Sequence, residues 1–438
     1  MNILIQNGRV IDPASGFDHT ADVAVVDGHI VAIAKADEKL PANFKAEQTI
    51  DAKGCIVAPG LVDLQVRLRE PGYEHEGMLA SELTAAVAGG VTSLVCPPDT
   101  DPVLDEPGLI EMLKFRAEKL HRARVFPLGA LTRGLKGEVL TEMSDLTDAG
   151  CVGFSQAEVP LENTQVLQRA LQYAATFGYT VWLRPQEMHL GKGVAASGPL
   201  ATRLGLGGVP VAAETIALHT IFALMRSTKA RVHLCRISSA EGVELVRAAK
   251  KEGLAVTADV SINSLHLSDH DIGYFDSRAR VTPVLRQQRD RDALRAALAD
   301  GTIDVLVSDH TPVDVDAKAL PFAEAEAGAT GLELLLSLSL KWANDSKVGL
   351  VRALEVLTSQ PAKVLGKIEG QSESLGQLHV GGVADLVVFD PTVEWHVTPD
   401  ALHSQGKHTP FAFDMTGMSL PARVKATLVA GHVAYQAK

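Results

Sequence analysis

The chain has 438 residues, 46% hydrophobic and 21% charged, with a formal net charge of −12. That size suits one large α/β domain with an appendage, and the acidic balance argues against nucleic-acid or anionic-membrane partners, which reward a basic surface. No apolar run reaches the length of a membrane span. Cys55, Cys96, Cys151 and Cys235 are scattered through apolar runs with no C-x-x-C pairing, so buried reduced thiols and a cytoplasmic location are expected.

Taken in order, the first fifty residues alternate apolar and polar, as in Asp22-Val-Ala-Val-Val-Asp-Gly28-His-Ile-Val, with Asp27-Gly28 as a turn. This predicts a small antiparallel β region. Eight short apolar runs follow, at 61–68, 92–97, 124–130, 151–156, 180–186, 231–238, 255–261 and 304–310. Most precede Ala/Leu/Glu-rich stretches with helical spacing, such as Asp290-Arg-Asp-Ala-Leu-Arg-Ala-Ala-Leu. Eight β–α repeats predict a (β/α)8 barrel, whose functional residues stand at the C-terminal ends of its strands. The tail returns to alternation at Ala384-Asp-Leu-Val-Val-Phe-Asp390 and Ala426-Thr-Leu-Val-Ala-Gly431. Short terminal strands cannot bury a face alone, so the fold expected is an α/β (TIM) barrel over 55–370 with a β-sandwich of 1–54 and 371–438.

The first barrel strand reads Pro59-Gly-Leu-Val-Asp-Leu-Gln65-Val-Arg67-Leu-Arg69-Glu-Pro-Gly72. Further anchors are Cys96-Pro-Pro-Asp99-Thr-Asp-Pro, Gly153-Phe-Ser-Gln156, Val281-Thr282-Pro-Val-Leu-Arg286, Val307-Ser-Asp309-His310-Thr-Pro312 and Gly328-Ala-Thr-Gly331-Leu-Glu333. In this order they resemble the dihydroorotase family of the amidohydrolase superfamily and, more loosely, allantoinases and hydantoinases. The family's opening strand is P-G-L-V-D-L-H-x-H-L-R-x-P-G, in which two histidines on alternate positions share one metal ion.

The resemblance implies a binuclear zinc site, but its ligand positions mostly carry other chemistry. The strand-one histidines are Gln65 and Arg67, and the bridging carboxylate is Gln156. The histidines of strands five and six are Arg184 and Arg236, and the strand-eight aspartate persists as Asp309. Arginine stays protonated at ordinary pH and cannot ligate a metal. Arg67, Arg184 and Arg236 are therefore expected to fill the metal volume, paired with Asp309 and nearby carboxylates such as Glu187, and no metal or cofactor is expected.

Among substrate-contact positions, the carboxylate-gripping arginine is kept as Arg69, either for a ligand or as a structural partner of a neighbouring acid. Asp99 and Thr282 replace two recognition asparagines, and Asp99 sets a negative charge where the substrate's anion would sit. His266 and His270 share a helical spacing but sit in a polar run, so surface histidines are expected. His233, three residues before Arg236, faces the opposite side of its strand and reads as a hydrogen-bonded core histidine, and His310 points away from Asp309. Neither a G-x-S-x-G elbow nor a phosphate loop is present.

The resemblance is nearest to bacterial pseudo-dihydroorotases. It implies a non-catalytic subunit of pyrimidine biosynthesis, a homodimer that partners the catalytic subunit of aspartate carbamoyltransferase. The alternatives are an active cyclic amidohydrolase of dihydroorotase type, which would need zinc at a remodelled site, and a sensor binding an anion in the arginine-lined pocket.

Overall fold

Alternating apolar residues fold both chain ends onto one shared core. The computed structural model describes residues 2–368, 375–412 and 417–437. β1 (Asn2–Asp12), β2 (Phe17–Val26) and β3 (His29–Lys35) form an antiparallel meander. β4 (Gln48–Asp51) and β5 (Ile56–Pro59) run parallel to β1, with Arg9 opposite Ile56 and Val10 opposite Val57. The terminal sheet thus reaches past residue 55 to Pro59, and the expected domain edge at 371 lies outside the described residues.

The barrel strands are β6 (Leu61–Asp63), β7 (Val91–Cys96), β8 (Arg124–Pro127) with its continuation β9 (Gly129–Ala130), β10 (Phe154–Ser155) and β11 (Thr180–Leu183). A short parallel pair, β12 (Ala195–Ala196) and β13 (Gly208–Val209), decorates the loop after β11. β14 (Arg231–Leu234), β15 (Val256–Ser261) and β16 (Val305–Val307) complete the set. Neighbouring strands are parallel throughout, and the ring closes where Val66 bridges His310 and the Arg67 amide donates to the His310 carbonyl at 2.9 Å.

The ladders stop short of several predicted run ends for a physical reason. Arg69, Arg236 and Asp309 have φ of 63°, 56° and 52°, left-handed backbone that residues with a Cβ seldom adopt and that leaves the pleat. The chain turns out of the barrel at the positions where site residues stand.

Val62, Leu64, Val95, Phe126, Trp182, Val305 and Val307 fill the barrel interior, while the helices pack a second apolar layer around it. Helix Gln288–Asp300 buries Leu294, Ala297 and Leu298 and ends at Gly301 in left-handed conformation. Each fully buried large apolar side chain contributes about 1.5–3 kcal/mol. β17 (Leu386–His396), β18 (Ser419–Val429) and β19 (His432–Gln436) then return antiparallel, and β17 pairs with β5. Ile3, Ile5, Val10, Val57, Leu386, Val388 and Leu428 form the common core of the two ends. All four cysteines are buried and free, and among the described residues no helix is long and apolar enough to cross a membrane.

One buried acid sits beneath the barrel mouth. Asp63 accepts backbone hydrogen bonds from Gln65 at 3.3 Å and Ser308 at 3.2 Å, while its second oxygen has no hydrogen-bond partner among the described residues. Burial raises its pKa to about 7, against the pull of its Ser308 and Gln65 hydrogen bonds. The unfolded value is about 3.9, so the folded state binds the proton more tightly. The associated stability is full below about pH 4 and is lost as pH rises towards 7, a change of about 4 kcal/mol. Asp63→Asn should flatten that part of the pH–stability curve in urea titrations. An unchanged slope between pH 4 and 7 would show that Asp63 ionises as freely as in the unfolded chain.

Candidate functional site

Five of the sequence-predicted positions converge at the C-terminal mouth of the barrel. Arg67, from the end of the first strand, has a 6% exposed side chain and donates from Nε to Asp99 at 2.8 Å. Its other nitrogens reach Thr311 Oγ1 at 3.1 Å and Glu158 Oε1 at 2.8 Å. Arg236, after β14, pairs with Asp309 at 3.0 Å and with Glu158, and reaches the Thr282 carbonyl at 3.3 Å. Arg184, after β11, places Nε 2.5 Å from Glu158 Oε2.

Glu158 is therefore the hub: one carboxylate, two residues past Gln156, receives three guanidinium groups. Burial pushes its pKa up, but Arg236, Arg184 and Arg67 outweigh that and hold it well below the usual carboxylate range. Asp309 shifts the other way, because burial raises it more than Arg236 and Arg67 lower it. Burial lowers Arg184, whereas in Arg67 and Arg236 the same effect is overcome by the acids beside them.

Several expectations need correction. Glu187 is not a partner of the arginines; its carboxylate accepts from the His189 and Leu190 amides in an exposed turn. The carboxylate that reaches the cluster instead is Glu158, in the loop after β10. Gln156 turns away, accepting from Thr132 Oγ1 at 2.9 Å and donating to the Leu135 carbonyl at 2.7 Å. Asp99 serves as counter-ion to Arg67, where the sequence suggested only a charge opposing an incoming anion. His266 is not a surface residue: burial lowers its pKa to about 3 and its Nε2 lies 3.0 Å from the Leu338 carbonyl. His270 is exposed, as expected.

Other positions match their expected surroundings. Gln65 is buried. Arg69 faces Glu76 at 2.6 Å and Glu326 at 3.2 Å, the structural-partner arrangement. The side of Thr282 lines the cavity beside Asp309. His233 is sealed in the core between Thr257 Oγ1 at 2.8 Å and Asp259 at 2.9 Å. His310 points outward to Glu82 at 2.8 Å, which also accepts from Ser404, so the end of strand eight is tied to the C-terminal segment.

Arg67, Arg184 and Arg236 are balanced by Asp99, Glu158 and Asp309, three charges against three. A zinc site needs about four imidazole, thiolate or carboxylate donors. Here the carboxylates of metal-binding type already accept from guanidinium groups, and the remaining family ligand positions are amide or guanidinium side chains. A divalent ion about 4 Å from one guanidinium would be repelled by roughly 8 kcal/mol at an effective dielectric of 20. The residues do not fit the family's metal pair. Among the described residues, His233, Cys235 and Asp259 lie close enough to share an ion. Both ring nitrogens of His233 are engaged, however, and burial pushes the Cys235 thiol well above its ordinary range.

Residues 54–242 match the dihydro-orotase-like family model and residues 210–434 the amidohydrolase family. The fold is close to that of L-hydantoinase from Arthrobacter aurescens, with a TM-score of 0.86 at 25% identity over 99% of this chain and 96% of that one. The class is thus an amidohydrolase-type barrel with a β-rich companion unit. A dihydroorotase-like protein of Pseudomonas aeruginosa is 44% identical over the whole of both chains. One from Pseudomonas putida is 44% identical over 99% of each, and a dihydroorotase of Geobacter sp. (strain M21) is 39% identical over the whole of both. The chain belongs to the dihydroorotase-like family of amidohydrolases.

Proposed function

We propose that this protein is a non-catalytic member of its family, a structural subunit in pyrimidine biosynthesis that partners the catalytic subunit of aspartate carbamoyltransferase. The observation that carries the reading is the Glu158 hub, where three arginines and their acids occupy the family's metal position. A barrel preserved around such a cluster fits selection on its surface and shape, since function resides in sites carried by a fold and not in the fold itself. The likeness to proteins called dihydroorotase-like in two pseudomonads supports the same reading.

A catalytic reading draws on the 39% identity to the Geobacter dihydroorotase. It requires a metal-activated water, and the cluster supplies neither the donors nor the charge for one. Mixing the purified chain with the carbamoyltransferase catalytic subunit should give a single heavier species by size-exclusion chromatography with light scattering. Separate elution at tens of micromolar, with unchanged carbamoyltransferase assembly, would remove the partner from the proposal.

A further inference from the structure

Beside the Glu158 hub, a cavity of about 260 Å³ opens between the loops after β11, β14 and β15. Its charged lining comprises Arg184, Lys192, Arg236, Arg280 and Arg286 against only Glu158 and Glu214. In a chain of net charge −12 this is a local reversal of sign. Both acids are already committed. Glu158 holds three arginines, and Glu214 accepts from the amides and hydroxyls of Ser238 and Ser239 at 2.5–3.1 Å.

Arg280 is the exception among the arginines. Arg184 and Arg236 have carboxylates, and Arg286 donates to Ser238 Oγ and the Val209 carbonyl. The Nε of Arg280 is buried without a hydrogen-bond partner, and no described residue pairs with its guanidinium. The acids nearby are taken: Asp276 by Arg278 at 2.6 Å and Glu326 by Arg69 at 3.2 Å. A further cation, Lys318, donates to the backbone carbonyl of Arg280 at 2.8 Å, which sharpens the excess. Burial pulls the Arg280 guanidinium down with no carboxylate raising it. A partly buried charge with no internal counter-ion costs free energy unless an external one is supplied.

We infer that this cavity is a binding site for a small oxyanion, a carboxylate or phosphate compound gripped by Arg280. Its volume equals that of about nine waters, enough for a compact metabolite. A planar guanidinium presents paired N–H groups that match the oxygens of either class. The site lies beside the position of the family's metal, and its uncommitted charge comes from Arg280, which stands at none of the family's ligand positions, so it goes beyond the non-catalytic reading.

Inorganic phosphate and succinate serve as the two probes, each compared with chloride at matched ionic strength. The full-length protein should melt about 3 °C higher in at least one of them at a hundredfold excess over Kd, and which one identifies the class. Equilibrium dialysis should show one site per chain, weakened roughly tenfold or more in Arg280→Gln and less in Arg280→Lys. Arg231→Ala, an exposed arginine at the other end of the barrel, should bind as the wild type does. No rise over chloride with either probe, or equal binding by a folded Arg280→Gln protein, overturns the site. Neither result bears on dihydroorotate hydrolysis, which is assayed separately.

Discussion

Glu158→Gln is expected to lower the unfolding free energy by about 3 kcal/mol, more than any other single change of one charge in the cluster. The substitution keeps the shape of the side chain and removes the charge that three guanidinium groups share. Breaking a buried ion pair by deleting one partner costs about 3–5 kcal/mol, because the other charge stays desolvated and alone. The Glu158 side chain is 31% exposed, which places the expected loss at the lower end. Among the described residues Arg184 pairs with no carboxylate but Glu158, whereas Arg67 and Arg236 also have Asp99 and Asp309. Adding Arg184→Met to Glu158→Gln removes one charge of each sign and should recover at least about 1 kcal/mol.

The pH dependence follows from the same geometry. The folded-state pKa of Glu158 lies below its unfolded value of about 4.3, so its stabilisation is complete above that value and lost as pH falls through the folded one. The acid limb of the stability curve should therefore be shallower in Glu158→Gln. Urea titrations from pH 3 to pH 7 check both points. A variant as stable as the wild type, with an unchanged acid limb, would mean that the hub carries no net charge coupling.

Much of this was legible in the residues. Alternation at the two ends and eight apolar runs between them specify the terminal sheet and the barrel, because period two and parallel burial leave distinct patterns. The resemblance to the dihydroorotase family brings Arg67, Arg184, Arg236 and Asp309 together, since they stand at its metal-ligand positions, and strand ends in such a barrel share one mouth. Glu158 matches no ligand position of the family pattern, where Gln156 is the aligned residue. Charge counting would have found it: three buried arginines need three acids, and Asp309 with Asp99 makes two. The polar run around His266 hides a residue packed under helix Leu335–Ser346, where its ring meets the Leu338 carbonyl. Arg280 left no pattern to read, because the lack of a partner is a property of the folded surroundings.

The second large effect concerns catalysis itself. Hydrolysis of a cyclic amide at neutral pH needs a strong nucleophile, and zinc supplies one by lowering the pKa of bound water to about 7. General-base help from a carboxylate contributes only about 10²–10⁴-fold, against 10⁶ or more for enzymes as a class. Glu158 is a poor base, held low by three cations. Asp309 is a better one, but it is buried and bonded to Arg236 at 3.0 Å. Neither group makes up the difference.

Dihydroorotate turnover by the protein purified and assayed with zinc, alongside its metal content, tests this coordination chemistry most directly. Substoichiometric zinc and a rate no higher than that of buffer with zinc alone are expected. One or two tightly held zinc ions per chain, with kcat in the usual range of about 1–10³ s⁻¹, would contradict that expectation.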